Sequence, residues 1–254
     1  MTEPRLLVIA DAHIGGAPPD TEAALLDFLD AAPSLGTALL VVGDLFEFWF
    51  AYARAIPRRG FPVAAALARL ARVMPVSMVG GNHDRWGKAF WNEDVGLRYA
   101  RRELRIDIGT RRVVALHGDG ITERPGRSSW THRVVGHPMT SAVFGLLHPD
   151  LGFRLVDRCS FLLSRTQTPA ERLHYAAGQR TWADARVVAD PSIDVLVMGH
   201  SHVSALTEPA PGRFYLNPGA WLDQGSYAVV TDAAIELRTF IPAAPPRPPT
   251  VAPR

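Results

Sequence analysis

Four short apolar runs punctuate the chain: Leu6–Ala10, Leu39–Val42, Val76–Val79 and Val195–Met198. Runs without polar alternation read as strands buried on both faces. Between the first three, apolar residues recur at helical spacing over Thr21–Ala31 and Val63–Val73. Strand alternating with helix predicts an α/β sheet whose chemistry collects at the carboxyl ends of its strands. Farther on, Glu103–Ile108 and Arg112–Leu116 predict a hairpin around Gly109-Thr110. Phe214–Leu216, Tyr227–Val230 and Ile235–Phe240 predict strands that complete a second sheet.

Between Ile121 and about Arg186 the strand-like runs stop. Val134, Val143, Phe144, Leu146, Leu147, Phe153, Leu155, Val156, Phe161, Leu162 and Leu163 make an apolar, helix-compatible segment there. The reading is a helical cap insertion, 121–186, on a core of 1–120 and 187–240, although ordinary packing helices fit the same pattern. The tail, 241–254, is so rich in proline that it sustains neither helix nor central strand and reads as disordered.

Composition narrows the classes. At 254 residues with 47% hydrophobic and 20% charged residues, the chain builds an ordinary globular core. A net charge of +2 and scattered pairs such as Arg58-Arg59, Arg101-Arg102 and Arg111-Arg112 give no sustained basic stripe, so no nucleic acid is expected as partner. The single cysteine, Cys159, excludes an internal disulfide and suits a reducing cytosol. No stretch approaches the roughly 20 uncharged apolar residues of a spanning helix, and Met1–Arg5 lead straight into a strand-like run.

Five polar islands follow the strands: Asp11-Ala12-His13, Gly43-Asp44, Gly81-Asn82-His83-Asp84, Leu116-His117-Gly118-Asp119 and Gly199-His200-Ser201-His202. They offer carboxylate, amide and imidazole but no thiolate, the donors that hard-to-borderline divalent metals prefer. Asp11 and His13, and again His200 and His202, alternate by two, so each pair reaches one side of a strand end. Asp44 is the natural bridging carboxylate, one oxygen per metal, for a pair of ions about 3.5–4 Å apart. Singly, each island also reads as a turn or a helix cap. In series, each after a strand, they point to a metal-assisted attack on phosphorus.

The islands resemble those of the calcineurin-like metallophosphoesterase superfamily, from Leu6 to about Phe240. That resemblance implies a double β-sheet sandwich flanked by helices and two divalent ions, usually manganese. It implies Asp11, His13, Asp44 and His202 around one metal, and Asp44, Asn82, His117 and His200 around the other. It also implies attack by a metal-activated hydroxide, with His83 stabilising the transition state or protonating the leaving oxygen. Asp84 is expected to orient the His83 ring, or else to serve as a turn carboxylate.

Two further segments narrow the resemblance. Gly43-Asp44-Leu45-Phe46-Glu47-Phe48-Trp49 and Asn217-Pro218-Gly219-Ala220-Trp221 are similar to motifs of the UDP-2,3-diacylglucosamine diphosphatases of lipid A synthesis. The resemblance implies a phosphorylated lipid or nucleotide-sugar substrate, split into UMP and lipid 1-phosphate at the inner face of the inner membrane. It also implies a cytoplasmic, peripheral enzyme that touches the membrane through its cap. His83 stands where the best-known branch has arginine, and that branch's cap lysines are missing. Their phosphate-holding role would fall to arginines such as Arg154, Arg158, Arg165 or Arg172. The alternatives are a phosphoesterase for another phosphomonoester, phosphodiester or nucleotide, and a non-catalytic scaffold. His132, His137, His148 and His174 lack ligand spacing and read as packing or substrate-side residues. Trp86, Trp91 and Trp130 read as core or pocket-mouth residues.

Overall fold

Leu6–Ile9 (β1), Ala38–Val42 (β2), Val76–Val79 (β3) and Arg98–Ala100 (β4) run parallel, linked by Pro19–Leu35 (α1), Phe61–Leu70 (α2) and the short Phe90–Glu93 (α3). Glu103–Ile108 (β5) and Arg111–Leu116 (β6) form the expected hairpin. After it come helices Pro138–Phe144 (α4), Pro149–Leu163 (α5) and Pro169–Ala189 (α6), then Val195–Val197 (β7), Ala205–Ala210 (β8) and Arg213–Asn217 (β9). Trp221–Gln224 (α7), Ser226–Val230 (β10) and Ile235–Thr239 (β11) close the fold. The computed structural model describes residues 3–87, 89–121, 138–163 and 169–242. Trp130, His132, His137, Arg165 and the proline-rich tail beyond 242 lie outside the described residues.

Two sheets stack, one ordered β11-β10-β1-β2-β3-β4 and the other β5-β6-β7-β9-β8. Alternate side chains of a strand face opposite ways, and this period sorts the apolar runs into three layers. Leu6, Val8, Leu40, Val42 and Val79 meet Leu104, Val113, Ala115, Val195, Val197 and Leu216 between the sheets. Leu7, Ile9, Leu39, Val41 and Met78 face the helices through Leu25, Phe28, Leu29, Val63 and Leu67. On the outer face of the second sheet, Val114, Leu196 and Tyr215 pack against Ala183 and Val187 of α6. Helix α1 starts where Pro18 and Pro19 set the backbone, and Asp20 and Glu22 complement its positive end.

One expectation is corrected. Tyr227–Val230 and Ile235–Thr239 belong to the first sheet, β10 lying antiparallel to β1 and β11 antiparallel to β10. The physical reason is two-sided burial. Tyr227 and Val229 fit the helix layer, whereas Ala228 and Val230 fit the layer between the sheets. An apolar run reveals burial but not which open sheet edge it covers. The second sheet instead gains β8, whose alternating intermediate and exposed residues carry little apolar signal.

Candidate metal centre

The carboxyl ends of β1, β2, β3, β6 and β7 converge on one spot. The loops beyond them are zipped together by their backbones: Asp11 N–H donates to Gly43 O at 3.1 Å, His13 N–H to Asp44 O at 3.0 Å, and Gly199 N–H to His117 O at 3.1 Å. Gly43 is needed for this approach. Its φ is +75°, and a Cβ there would stand 2.5 Å from His117 Nδ1 and 2.8 Å from the Gly81 backbone. Gly81 is equally constrained, because a Cβ would collide with the Asp44 carboxylate.

Backbone strain marks the same residues. Among the described residues, the non-glycine positions with positive φ are Asp11, His13, Asp44, His200 and His202, between 48° and 66°. A left-handed conformation costs an ordinary residue of order 1–3 kcal/mol and persists where the surroundings fix it, commonly at functional sites. Five such residues in one cluster are a concentration of strain that aims side chains rather than stabilises the fold.

The side chains form overlapping groups. Asp11, His13 and His202 each place a ligand atom within 4.8 Å of the others, as do His13, Asp44 and His83, and again Asp44, His117 and His200. His117 Nδ1 is held by the Val42 carbonyl at 2.8 Å, which leaves Nε2 facing Asp44 Oδ2 at 3.1 Å, Asn82 Oδ1 at 3.2 Å and His200 Nδ1 at 3.2 Å. Asp44 Oδ2 also lies 4.0 Å from His13 Nε2, so this buried carboxylate stands between the first and last of these groups. Asp11 Oδ1 and His13 Nε2 are buried without a hydrogen-bond partner, although His202 Nε2 approaches Asp11 Oδ1 to 3.6 Å. Orphaned buried polar atoms of this kind are what a cation would satisfy.

Electrostatics say the same. Burial opposes charge on His117, yet Asp44 and Asp11 overcome it and raise its pKa to about 10. Burial opposes charge on His13 too, but the Glu47 hydrogen bond and the Asp44 and Asp11 charges raise it to about 9. Burial pushes Asp11 up to about 7 against the pull of His117, with Asp44 adding to the rise. Burial, and then the neighbouring positive rings, hold His200 and His202 down at about 3. The pocket therefore attracts positive charge to its carboxylates while keeping two imidazoles neutral, the form in which they ligate metals.

All seven sequence-predicted ligand residues meet here. His83 is near them but on the solvent side, 34% exposed against 12% for His13 and 1% for His117. Its Nε2 lies 4.0 Å from Asp44 Oδ2, and its Nδ1 is held by the Glu47 carbonyl at 2.7 Å. The expected pairing of Asp84 with the His83 ring is corrected. Asp84 is fully buried, and its two oxygens accept the Leu45 and Gly81 amides at 2.8 Å each, tying the β2 loop to the β3 loop. Adjacency to His83 in the sequence does not fix the direction of the carboxylate, and the turn geometry takes both of its oxygens. Replacing one of those oxygens by an NH2 sets donor against donor, so Asp84→Asn is expected to cost about 1–3 kcal/mol of stability. Thermal denaturation checks this, and an unchanged midpoint would contradict the tie.

Sequence reasoning missed several supporting residues. Glu47 grips His13 Nδ1 at 2.9 Å through its carboxylate and His83 through its carbonyl; the Gly-Asp-Leu-Phe-Glu motif was its only signal. Asn217 Nδ2 and Gln179 Nε2 both donate to Gly199 O at 3.0 Å and fix the His200–His202 loop. Asn217 had a motif to announce it, whereas Gln179 lies on α6 with no local signature.

A profile of the calcineurin-like phosphoesterases matches residues 4–204, which contain all seven candidate ligand residues. The chain belongs to that family. It is thereby a metal-dependent phosphoesterase, built on the two-sheet fold described above. Among curated relatives, a UDP-2,3-diacylglucosamine hydrolase of Serratia proteamaculans is 28% identical, covering 92% of this chain and 98% of the relative. One of Yersinia enterocolitica is 29% identical over the same shares of the two chains. One of Porphyromonas gingivalis is 22% identical, covering 93% of this chain and 97% of the relative. A solved phosphoesterase of E. coli, Yfce, aligns at a TM-score of 0.42 and 16% identity, over 93% of this chain and 100% of that one.

Binding to the folded state alone stabilises a protein by about 4 kcal/mol when free ligand is a thousandfold above its dissociation constant. Manganese added to chelator-treated phosphoesterase is therefore expected to raise its melting midpoint by roughly 10 °C. Identical midpoints with and without metal would contradict a preformed cation site.

Proposed function

We propose that this phosphoesterase hydrolyses the diphosphate of UDP-2,3-diacylglucosamine to UMP and a diacylated sugar 1-phosphate. The carrying observation is the near full-length match, on both sides, to relatives named for that substrate. In this reading Asp11, His13, Asp44 and His202 hold one divalent cation, and Asp44, Asn82, His117 and His200 hold a second, manganese for preference. When bound, such cations supply charge for the phosphoryl oxygens and bring water towards ionisation at neutral pH. The chain's own residues do the rest. Asp44 would be the ligand common to both cations, Glu47 fixes the His13 ring, and His83, oriented through Nδ1, would use Nε2 to stabilise charge on the reacting phosphate or to protonate the leaving oxygen.

Helices α4 and α5 are proposed as a cap for the acyl chains. A cavity of about 370 Å³ is lined by Met139, Thr140, Val143, Phe144, Leu147 and Leu155 of that region. Met139, Val143, Leu146, Leu151 and Leu155 are exposed on the same two helices and the link between them, an apolar surface suited to lipid. Phe48, Phe50, Tyr52 and Trp86 pack on Phe144 or Phe153 and join this surface to the Asp44-bearing loop. No helix among the described residues is long and apolar enough to cross a membrane, so contact at a bilayer surface is the form of membrane association proposed.

Release of UMP from UDP-2,3-diacylglucosamine by the manganese-loaded protein tests the reading. Turnover confined to soluble aryl phosphates would reject the lipid substrate while leaving the phosphoesterase. Within the cap, Leu155→Asp removes an apolar contact of about 1.5–3 kcal/mol. It is expected to raise KM for the lipid substrate about tenfold and leave bis(p-nitrophenyl) phosphate turnover unchanged. Equal losses on both substrates would mean that the cap only supports the core.

A further inference from the structure

A second cavity, of about 330 Å³, lies on the other side of α4, walled by Arg85, Trp86, Tyr99, Arg101 and Ser141. Its volume falls within the range of small-ligand sites, and its lining differs from that of its neighbour. The apolar cavity takes Met139, Thr140, Val143 and Phe144 from α4, whereas this one takes Ser141 from the same helix. Two guanidinium groups and a hydroxyl do not suit an acyl chain. They suit an anionic, hydroxylated ligand, and the indole and phenol beside them offer flat surfaces on which a planar ring can stack.

One wall of the cavity, Arg85, is tied to the loops of the reaction centre. Arg85 Nε donates to Gly81 O at 3.1 Å, next to Asn82, and its guanidinium pairs with Asp119, two residues past His117. Tyr99 Oη donates to the Arg85 carbonyl at 3.3 Å, which fixes the back wall. Trp86 Nε1 is buried with no hydrogen-bond partner, a donor that a base carbonyl or a ribose hydroxyl would satisfy.

We infer that this cavity binds the nucleoside monophosphate half of the substrate, with Arg85 and Arg101 meeting phosphate and base oxygens and Trp86 or Tyr99 meeting the ring. The inference rests on the diphosphatase reading above and deepens it. Nucleotide and acyl chains then lie on opposite sides of α4, with the scissile diphosphate between them at His83.

The test titrates UMP into the full-length, manganese-loaded protein by calorimetry. Arg101→Glu acts from the β4–β5 turn and Ser141→Trp fills the cavity from α4. Each is expected to weaken UMP binding about tenfold or more while bis(p-nitrophenyl) phosphate turnover stays at its starting value. Because the two walls are independent, the variant that keeps that turnover decides the matter if the other loses it. Unchanged UMP affinity in such a variant overturns the inference, as does weakening of glucosamine 1-phosphate or inorganic phosphate with UMP unaffected. Cleavage of UDP-2,3-diacylglucosamine with UMP binding indifferent to both substitutions leaves the substrate reading standing and removes this site. No cleavage, but UMP binding that depends on Arg101 and Ser141, keeps the nucleotide site and removes that substrate.

Discussion

Asp44→Ala is expected to lose both cations and nearly all turnover in one step. The carboxylate is 2% exposed, 3.1 Å from His117 Nε2 and 4.0 Å from both His13 Nε2 and His83 Nε2. Its other oxygen accepts the His83 amide at 2.9 Å. Of the three ligand groups found among the described residues, two contain Asp44, and no other carboxylate occurs in more than one. Removing it deprives both groups of a negative charge and of the carboxylate that stands between them. The expected fall in kcat/KM is at least about 10³-fold, several kcal/mol of transition-state stabilisation. Asp11→Asn, which touches one group, is expected to lower occupancy of that group alone. Two ions retained in Asp44→Ala would show that the shared ligand has been misassigned.

His83→Gln is expected to keep both cations and lower kcat by about 10²–10⁴-fold, the usual span for a residue that moves a proton or meets developing charge. KM is expected to change little, since His83 lines neither cavity. The expectation is sharp because geometry alone admits another role: His83, His13 and Asp44 also have ligand atoms within 4.8 Å of one another. Loss of a cation on His83→Gln would make this histidine a ligand and remove it as the acid. Glu47→Gln keeps the backbone carbonyl that orients His83 and weakens only the His13 bond, so its loss should be smaller, about 10–100-fold in metal affinity.

The strands and most of the site were legible because strong, short-range signals carry them. Unbroken apolar runs place β1, β2, β3 and β7 within a residue of their observed ends, and each island follows its strand directly. The residues that escaped notice act through the backbone or across the fold. Asp84 was read by adjacency, yet the turn spends both oxygens on amides. Glu47 orients His83 with a carbonyl, which every residue possesses, so no side-chain pattern announces it. Gln179 reaches Gly199 from a helix 20 residues earlier. Likewise the sequences of β10 and β11 announce strands but not the sheet they join, since an apolar run does not name its neighbour. The strained φ values at Asp11, His13, Asp44, His200 and His202 carry no sequence signature, and in the structure they single out the site more sharply than any motif.

The most direct measurement is anomalous diffraction at the manganese edge from crystals of the metal-loaded enzyme. Two peaks are expected, one bounded by Asp11, His13 and His202 and the other by Asn82, His117 and His200, with Asp44 touching both. A single peak, or peaks away from these side chains, would contradict the account.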